Sequence, residues 1–383
     1  MYFRGVHMKI AIDARSANLH HGTGIGTYTE NLISEMLSLD SKDEFTLFCS
    51  GNFSEKFNKK NSNIVYSSGR HGGFYEKYYI PNELSKSHVD LYHIPQNGIG
   101  FDFDTEIPTV VTIHDLIPYI MPSTVGKSYL DRFLRDMPKI IASSSSILTV
   151  SEYSKKDILK FFSSYPEDKI FVTPLAANNN FKPLNKNECK LYVENTYGIK
   201  TPYILYIGGF SLRKNALGLI KAFMKVYKDL DKPYKLLIGG ALRDEGEKLL
   251  TFVKENNMED KIIFSGYLED TFLPILYSGC DAFVYPSFYE GFGLPPLEAM
   301  NCKAPVITSN LTSIPEVTKD SAILINPYKI DELENALVTL LNDENLKAEL
   351  SQKGYLRSLE FTWKKTAQTT LEIYKTLSDQ FSI

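Results

Sequence analysis

Glu290 and Glu298 stand with seven residues between them, and what separates them is the kind of chain that closes on an anion: Gly291-Phe292-Gly293-Leu294-Pro295-Pro296-Leu297. Gly291 and Gly293 place no side chain between backbone and ligand. Pro295 and Pro296 suit the first turn of a helix, where a missing N–H leaves nothing unpaired. The start of a helix offers partnerless N–H groups and the positive end of its dipole, so negative charge is favoured there. The spacing predicts Glu298 in that first turn and Glu290 just ahead of it. Each carboxylate alone has an ordinary explanation, Glu298 as a complement to the dipole and Glu290 as a solvated side chain. With the glycines and prolines around them, they read together as a site. A second group of candidates is Arg213-Lys214, set after Gly208-Gly209 and Ser211 at a helix start. A planar guanidinium and a compact ammonium can together grip a diphosphate, although such a pair is equally common as a solvated surface feature. A third is His114. A lone His near a strand end is more often structural than catalytic.

These residues sit at the ends of short apolar runs. Ala282–Tyr285 leads to Glu290, Tyr203–Ile207 to Arg213, and Thr109–Ile113 to His114. Each run has the length of a buried strand, and each is followed by glycine or proline and then by helical spacing. In α/β sheets, ligands bind at the carboxyl ends of the strands. The same pattern opens the chain: Lys9–Ala14 runs into a glycine-rich loop with Gly22, Gly24 and Gly26, and a helix follows over Tyr28–Leu37. Further strands are predicted at Glu44–Cys49, Ile64–Tyr66, Asp90–Ile94 and Ile170–Pro174, then at Lys235–Gly240, Ile262–Ser265, Ala304–Thr308 and Ala322–Ile325. Ser67–Asn82, rich in Gly, aromatic and basic residues, reads as a surface loop over a packed aromatic cluster, with an acceptor- or membrane-facing loop as the alternative. Val150–Ile158 carries an N-cap signal in Ser151 and Ser154. Leu175–Pro183 has linker character, Asn185–Tyr197 is helical, and the boundary between halves is placed between Pro183 and Thr201. Helices follow at Ile330–Leu341 and Glu344–Leu356, and another starts near Thr362.

Glu-x7-Glu inside YEGFGLPPLEAM resembles the signature of the GT4 family of retaining, nucleotide-sugar-dependent glycosyltransferases. HDLIP after a strand, RKN after Gly-Gly-Phe-Ser-Leu and the GIG-x-Y loop resemble family motifs too, and the likeness runs from Met8 over nearly the whole chain. It implies an α/β protein of GT-B fold, with two Rossmann-like doubly wound parallel-sheet domains facing across a cleft. Residues 8–183 would form the acceptor-side domain and 201–362 the nucleotide-sugar domain, while a helix over 363–383 crosses back to the first. By the same resemblance, Glu290 lies near the transferred sugar and Glu298 binds the ribose. The backbone of Gly291, Phe292, Gly293 and Leu294 contacts sugar and diphosphate. Arg213 and Lys214, with Ser211 beside them, bind the diphosphate, and His114 contacts the sugar. Gly24 and Gly26 face the donor phosphate and acceptor, and Gly266 with Tyr267 lies beside the base. The segment around Ser151 matches one in which Ser and Lys follow the domain's last strand. The implied catalytic set is thus His114, Arg213, Lys214 and Glu290. The donor is expected to be GDP-mannose, with a UDP-sugar next, and the acceptor a glycan or lipid-linked sugar of surface polysaccharide. A nucleotide-sugar epimerase and a non-catalytic sugar-nucleotide-binding protein share the fold and remain the alternatives.

The 383 residues fit two domains, and 43% hydrophobic with 23% charged residues is ordinary for a globular protein. A net charge of −4 implies no general attraction to nucleic acid. Four scattered cysteines without Cys-x-x-Cys indicate neither a disulfide framework nor a zinc site, which fits a reduced cytoplasmic setting. No segment matches a membrane span, so any membrane contact would be peripheral, at the inner face. Met1–His7 lacks a signal core and reads as a tag remnant ahead of Met8. Asp102-Phe103-Asp104 and Asp229-Leu230-Asp231 formally match a metal-binding Asp-x-Asp. Such tripeptides are common by chance, so neither a metal nor a cofactor beyond the donor is expected. Walker A, Gly-x-Ser-x-Gly and full Gly-x-Gly-x-x-Gly motifs are missing.

Overall fold

A computed structural model describes residues 7–20, 22–67, 71–101 and 107–381. Thirteen described strands form two all-parallel sheets. The first has β1 (Lys9–Asp13), β2 (Glu44–Ser50), β3 (Ser62–Ser67), β4 (Leu91–Ile94), β5 (Thr109–Ile113), β6 (Ser146–Thr149) and β7 (Ile170–Val172), in the order β3-β2-β1-β4-β5-β6-β7. The second has β8 (Tyr203–Ile207), β9 (Lys235–Gly239), β10 (Ile262–Gly266), β11 (Ala282–Tyr285), β12 (Val306–Ser309) and β13 (Ile323–Ile325), in the order β10-β9-β8-β11-β12-β13. Helices cover both faces of such sheets, so their strands are apolar runs rather than alternating ones. All five residues of β5 and all four of β11 are buried. Each sheet reverses its winding beside its first strand, between β1 and β4 and between β8 and β11, and ligands of doubly wound sheets bind at that reversal. Both halves are therefore Rossmann-like.

The chain divides into one unit of residues 1–175 with 362–383, and a second of 176–361. The division precedes the expected segment Pro183–Thr201 because the helix Lys186–Tyr197 packs into the second unit. Its Cys189 and Val193 are buried, and Tyr192 stacks on Phe272 with centroids 5.8 Å apart. Asn185 caps that helix through the N–H groups of Asn187 and Glu188, and Gly198 ends it at φ 67°. The helix Trp363–Phe381 belongs to the first unit. It buries Ala367, Leu371, Tyr374 and Leu377 and packs on the helix Gly24–Ser38.

Four expectations change. Gly24 and Gly26 are not in a loop but in the first turn of the helix Gly24–Ser38, because the Thr23 hydroxyl accepts from the Gly26 N–H and starts the helix early. Residues 72–86 are helical rather than loop, with an i→i+5 turn over Tyr75–Tyr79. Glu298 lies beyond the first turn of the helix Leu294–Asn301, which has no acidic residue in that turn. The strand before Ser151 is the sixth of seven, not the last. Ser151 does cap the helix Glu152–Phe161, accepting from the Ser154 N–H.

Candidate active site

The second sheet's winding reversal gathers the strongest cluster. Gly208-Gly209 follow β8, and a short turn over Leu212–Lys214 then points Arg213 and Lys214 back toward the loop after β11. Asn215, at φ 54°, closes that turn, and its amide donates to the Pro327 carbonyl at 3.2 Å. The sheet ends are packed closely at this edge. A Cβ on Gly240 would lie 2.3 Å from the Gly208 carbonyl, so no side chain fits there.

Glu290 is the centre of the cluster. Its Oε1 lies 2.8 Å from Arg213 Nη1 and 2.8 Å from Lys214 Nζ, and it accepts from the Tyr285 hydroxyl at 3.0 Å. Lys214 also donates to the Tyr285 hydroxyl and sits 4.9 Å over its ring. Arg213 Nη1 donates to the Tyr289 carbonyl. The Glu290 main chain is pinned at both ends. Its N–H donates to Thr312 Oγ1 at 3.2 Å, and its carbonyl accepts from Ser313 Oγ at 2.8 Å. Thr312 adopts φ 59°, which a β-branched residue rarely does, and such strain concentrates at functional sites. Burial pushes the Glu290 carboxyl up, but Lys214 and Arg213, with hydrogen bonds from Lys214 and Tyr285, outweigh it and hold it below its usual range. It is a buried carboxylate shared by two cations, so a polyanion at this place has two ready partners.

Glu298 stands apart from this cluster and accepts from the Tyr277 hydroxyl at 3.2 Å. Burial pushes its carboxyl up to about 8, with Asp270 adding to the rise and the Tyr277 bond opposing it. Between them, Gly291, Phe292 and Gly293 are buried, and Gly293 adopts φ 107° with Ile314 Cδ1 2.5 Å from where a Cβ would be. Leu294 begins the helix, and Phe292 packs edge-on to Phe361 at 5.8 Å. Ser211 is half-buried and its carbonyl accepts from the Lys214 N–H. Gly266, at φ 74°, ends β10, and Tyr267 after it is 71% exposed, open for stacking.

In the first unit, His114 follows β5 and is buried. Its Nε2 lies 2.8 Å from the Pro95 carbonyl. A carbonyl only accepts, so Nε2 carries the hydrogen and Nδ1 keeps the lone pair. Burial pushes its pKa down to about 4, against the Pro95 bond, so the ring is neutral at pH 7. It can accept a hydroxyl hydrogen. Gly24 and Gly26 open the second helix after β1, in the same unit.

The structure therefore brings Arg213, Lys214 and Glu290 into contact, and holds Glu298 in a separate bond to Tyr277. Tyr285, Thr312 and Ser313 were not anticipated. Tyr285 reads as the last core residue of an apolar run, and Thr312 with Ser313 lies in a loop beyond the next strand. No local pattern marks them. Asp102 and Asp104 lie outside the described residues, and Asp229 and Asp231 are exposed. Among the described residues, no group of three or more His, Cys, Asp or Glu is placed to hold a metal, and no helix is long and apolar enough to cross a membrane.

The chain is also similar to known proteins. Residues 194–357 match the family model of group 1 glycosyl transferases. The chain is 29% identical over 368 residues to O-antigen chain mannosyltransferase B of Escherichia coli, covering 93% of this chain and 96% of that protein. It is 30% identical over 252 residues to O-antigen chain mannosyltransferase RfbU of Salmonella typhimurium, covering 66% and 65%. Among solved structures, Anabaena Alr3699/HepE in complex with UDP and glucose superposes with a TM-score of 0.76 at 17% identity, over 97% of this chain and all of that one. Sucrose-phosphate synthase from Thermosynechococcus elongatus superposes with a TM-score of 0.74 at 20% identity, over 97% and 99%. At such identities the likeness is one of fold.

Proposed function

We propose, for a chain that is a GT4-like hexosyltransferase of GT-B fold, that it moves a mannosyl group from GDP-mannose to a growing surface glycan of the O-antigen kind, with retention of anomeric configuration. The observation that carries the reading is the convergence of Arg213 and Lys214 on Glu290 at the winding reversal of the second sheet. Departure of a nucleotide diphosphate builds negative charge on the leaving phosphate. Cations already fixed in place stabilise that charge most at the moment it develops. Arg213 and Lys214 take this part, so the transfer needs no metal. The acceptor hydroxyl attacks the anomeric carbon on the face that the phosphate leaves, and the departing phosphate oxygen takes the hydroxyl proton. Glu290, released from its cations by the diphosphate, faces the positive charge that grows on the sugar ring. Glu298 and Tyr277 receive the ribose, exposed Tyr267 the base, and the neutral His114 ring accepts from a hydroxyl of the transferred sugar. The acceptor is a glycan or lipid-linked saccharide, met at the inner face of the membrane.

Similarity to one O-antigen mannosyltransferase over 93% of the chain, at 29% identity, supports mannose over other hexoses. A thermal-shift screen with GDP-mannose, UDP-glucose, GDP and UDP tests the donor, since a ligand bound only by the native state raises the melting temperature. Radiolabelled GDP-mannose with and without a mannan acceptor then tests transfer. Stabilisation by UDP-glucose alone would overturn the donor assignment, and sugar conversion without acceptor would make the protein an epimerase.

A further inference from the structure

The first unit holds a chain of buried polar side chains that the transfer chemistry leaves unused. Tyr374 Oη, on the C-terminal helix, lies 2.6 Å from His93 Nδ1. His93 Nε2 lies 2.8 Å from Thr112 Oγ1, which lies 3.1 Å from Tyr28 Oη. All four side chains are fully buried. The Tyr28 ring then stands edge-on to the His114 ring, centroids 4.9 Å apart at 87°. Trp363, from the first turn of the same C-terminal helix, also packs on Tyr28 at 6.1 Å.

Burial keeps His93 neutral, with its pKa pushed down to about 3 and His114 adding to the fall. A neutral imidazole has one N–H and one lone pair. The hydrogens must therefore run in one sense from Tyr374 through His93 to Thr112, or in the opposite sense. Apolar residues could fill this volume without the desolvation of four polar groups. A satisfied buried network instead fixes a single arrangement. The ring at its end needs fixing, because the bond from His114 Nε2 to Pro95 leaves the imidazole free to swing about the N···O line. The edge of Tyr28 removes that freedom.

We infer that Tyr374, His93, Thr112 and Tyr28 are positioning residues that hold the His114 ring with its Nδ1 lone pair ready to accept from the transferred sugar. The inference rests on the reading of His114 given above. It makes the C-terminal helix part of the site, acting on a residue that it does not itself reach.

Tyr374→Phe and Tyr28→Phe keep the rings and remove one hydroxyl each. With GDP-mannose as donor, kcat is expected to fall on the order of tenfold, as for a misplaced reacting group, while the donor KM stays unchanged. In a His114→Ala background the same substitutions should cause no further loss. Thr112→Ser, which keeps the hydroxyl, should match the parent. Nitrogen NMR of the imidazole should show the Nε2–H tautomer of His114 in the parent and, in both Phe variants, the same tautomer with shifted and broadened ring resonances as the ring gains freedom. An unchanged His114 spectrum in both Phe variants overturns the inference, whatever His114 does in turnover. So do equal losses with and without His114. Full turnover in His114→Ala would instead overturn its contact with the sugar, and the spectrum alone would then decide the positioning.

Discussion

Replacing Glu298 with Gln and following stability against pH separates a ligand-holding carboxyl from a helix-dipole complement. Burial raises this carboxyl from its ordinary 4.5 to about 8. In the unfolded chain it loses its proton near pH 4.5, whereas the folded chain keeps that proton until about pH 8. The folded state therefore binds the extra proton across this window. The contribution of Glu298 to stability is therefore full below pH 4.5, falls as pH rises, and is gone above pH 8. At about 1.4 kcal/mol per pH unit the whole window is worth at most about 5 kcal/mol. Glu298 keeps some contact with solvent, and screening brings this to about 2 kcal/mol. Gln does not titrate and still accepts from Tyr277. Glu298→Gln should match the parent near pH 4.5 and exceed it at pH 8.5 by about 2 kcal/mol, a rise of roughly 4–8 °C in the calorimetric melting temperature. The donor KM, measured above pH 8 where the carboxyl is ionised, should move the other way, rising on the order of tenfold as a charged hydrogen-bond partner of the ribose is lost. A dipole complement behaves differently, since its loss costs about 0.3–1 kcal/mol and leaves the KM alone. Parallel stability curves from pH 4.5 to 8.5 with an unchanged donor KM would refute the reasoning.

Arg213→Ala or Lys214→Ala should fold and lose turnover on the order of 10²–10³-fold, measured as GDP release; near-parental rates in both would remove them from the mechanism. Glu290→Gln should mainly lower kcat, in contrast to the KM effect at Glu298, and steady-state kinetics on the two Gln variants would show whether they divide in this way. EDTA should leave the transfer rate unchanged, and a loss restored by Mn²⁺ would count against cation-only stabilisation. Gly293→Ala forces a Cβ into φ 107° and against Ile314 Cδ1, so a stability loss on the order of 1–3 kcal/mol is expected in denaturant titration.

Both sheets were legible in the sequence, apart from the unpredicted strand Ser146–Thr149, because parallel strands are buried on both faces and appear as plain apolar runs such as TVVTI and AFVY. Boundaries were less legible where a side chain decides them. The Thr23 hydroxyl turns two glycines of an apparent loop into helix, and Gly293, at φ 107°, starts its helix one residue early and moves Glu298 out of the first turn. Residue types named Arg213, Lys214 and Glu290 as candidates, and the glycines and prolines around them gave the setting. Their meeting on one oxygen was not legible, because it depends on β8 and β11 being neighbours across the winding reversal. Tyr285 looked like core and is core, yet its hydroxyl binds Glu290 and accepts from Lys214. Thr312 and Ser313 are unremarkable in sequence and matter only through the Glu290 main chain.

The division of the chain also sets the order in which it can mature on the ribosome. The second unit is one uninterrupted segment, 176–361, whereas the first is split into 1–175 and 362–383. Domains tend to fold as they emerge, the N-terminal one first. Here that order is reversed for completion. β1 to β7 are synthesised early, but Tyr28 and the helix around it stay uncovered until Trp363 and Tyr374 have been made. A chain released near residue 361 would carry a finished Arg213–Lys214–Glu290 cluster and an unfinished first unit. Tyr28, which packs on His114, would gain its full packing only with the C-terminal helix, so a truncated translation product would hold the cation pair without a completed first unit.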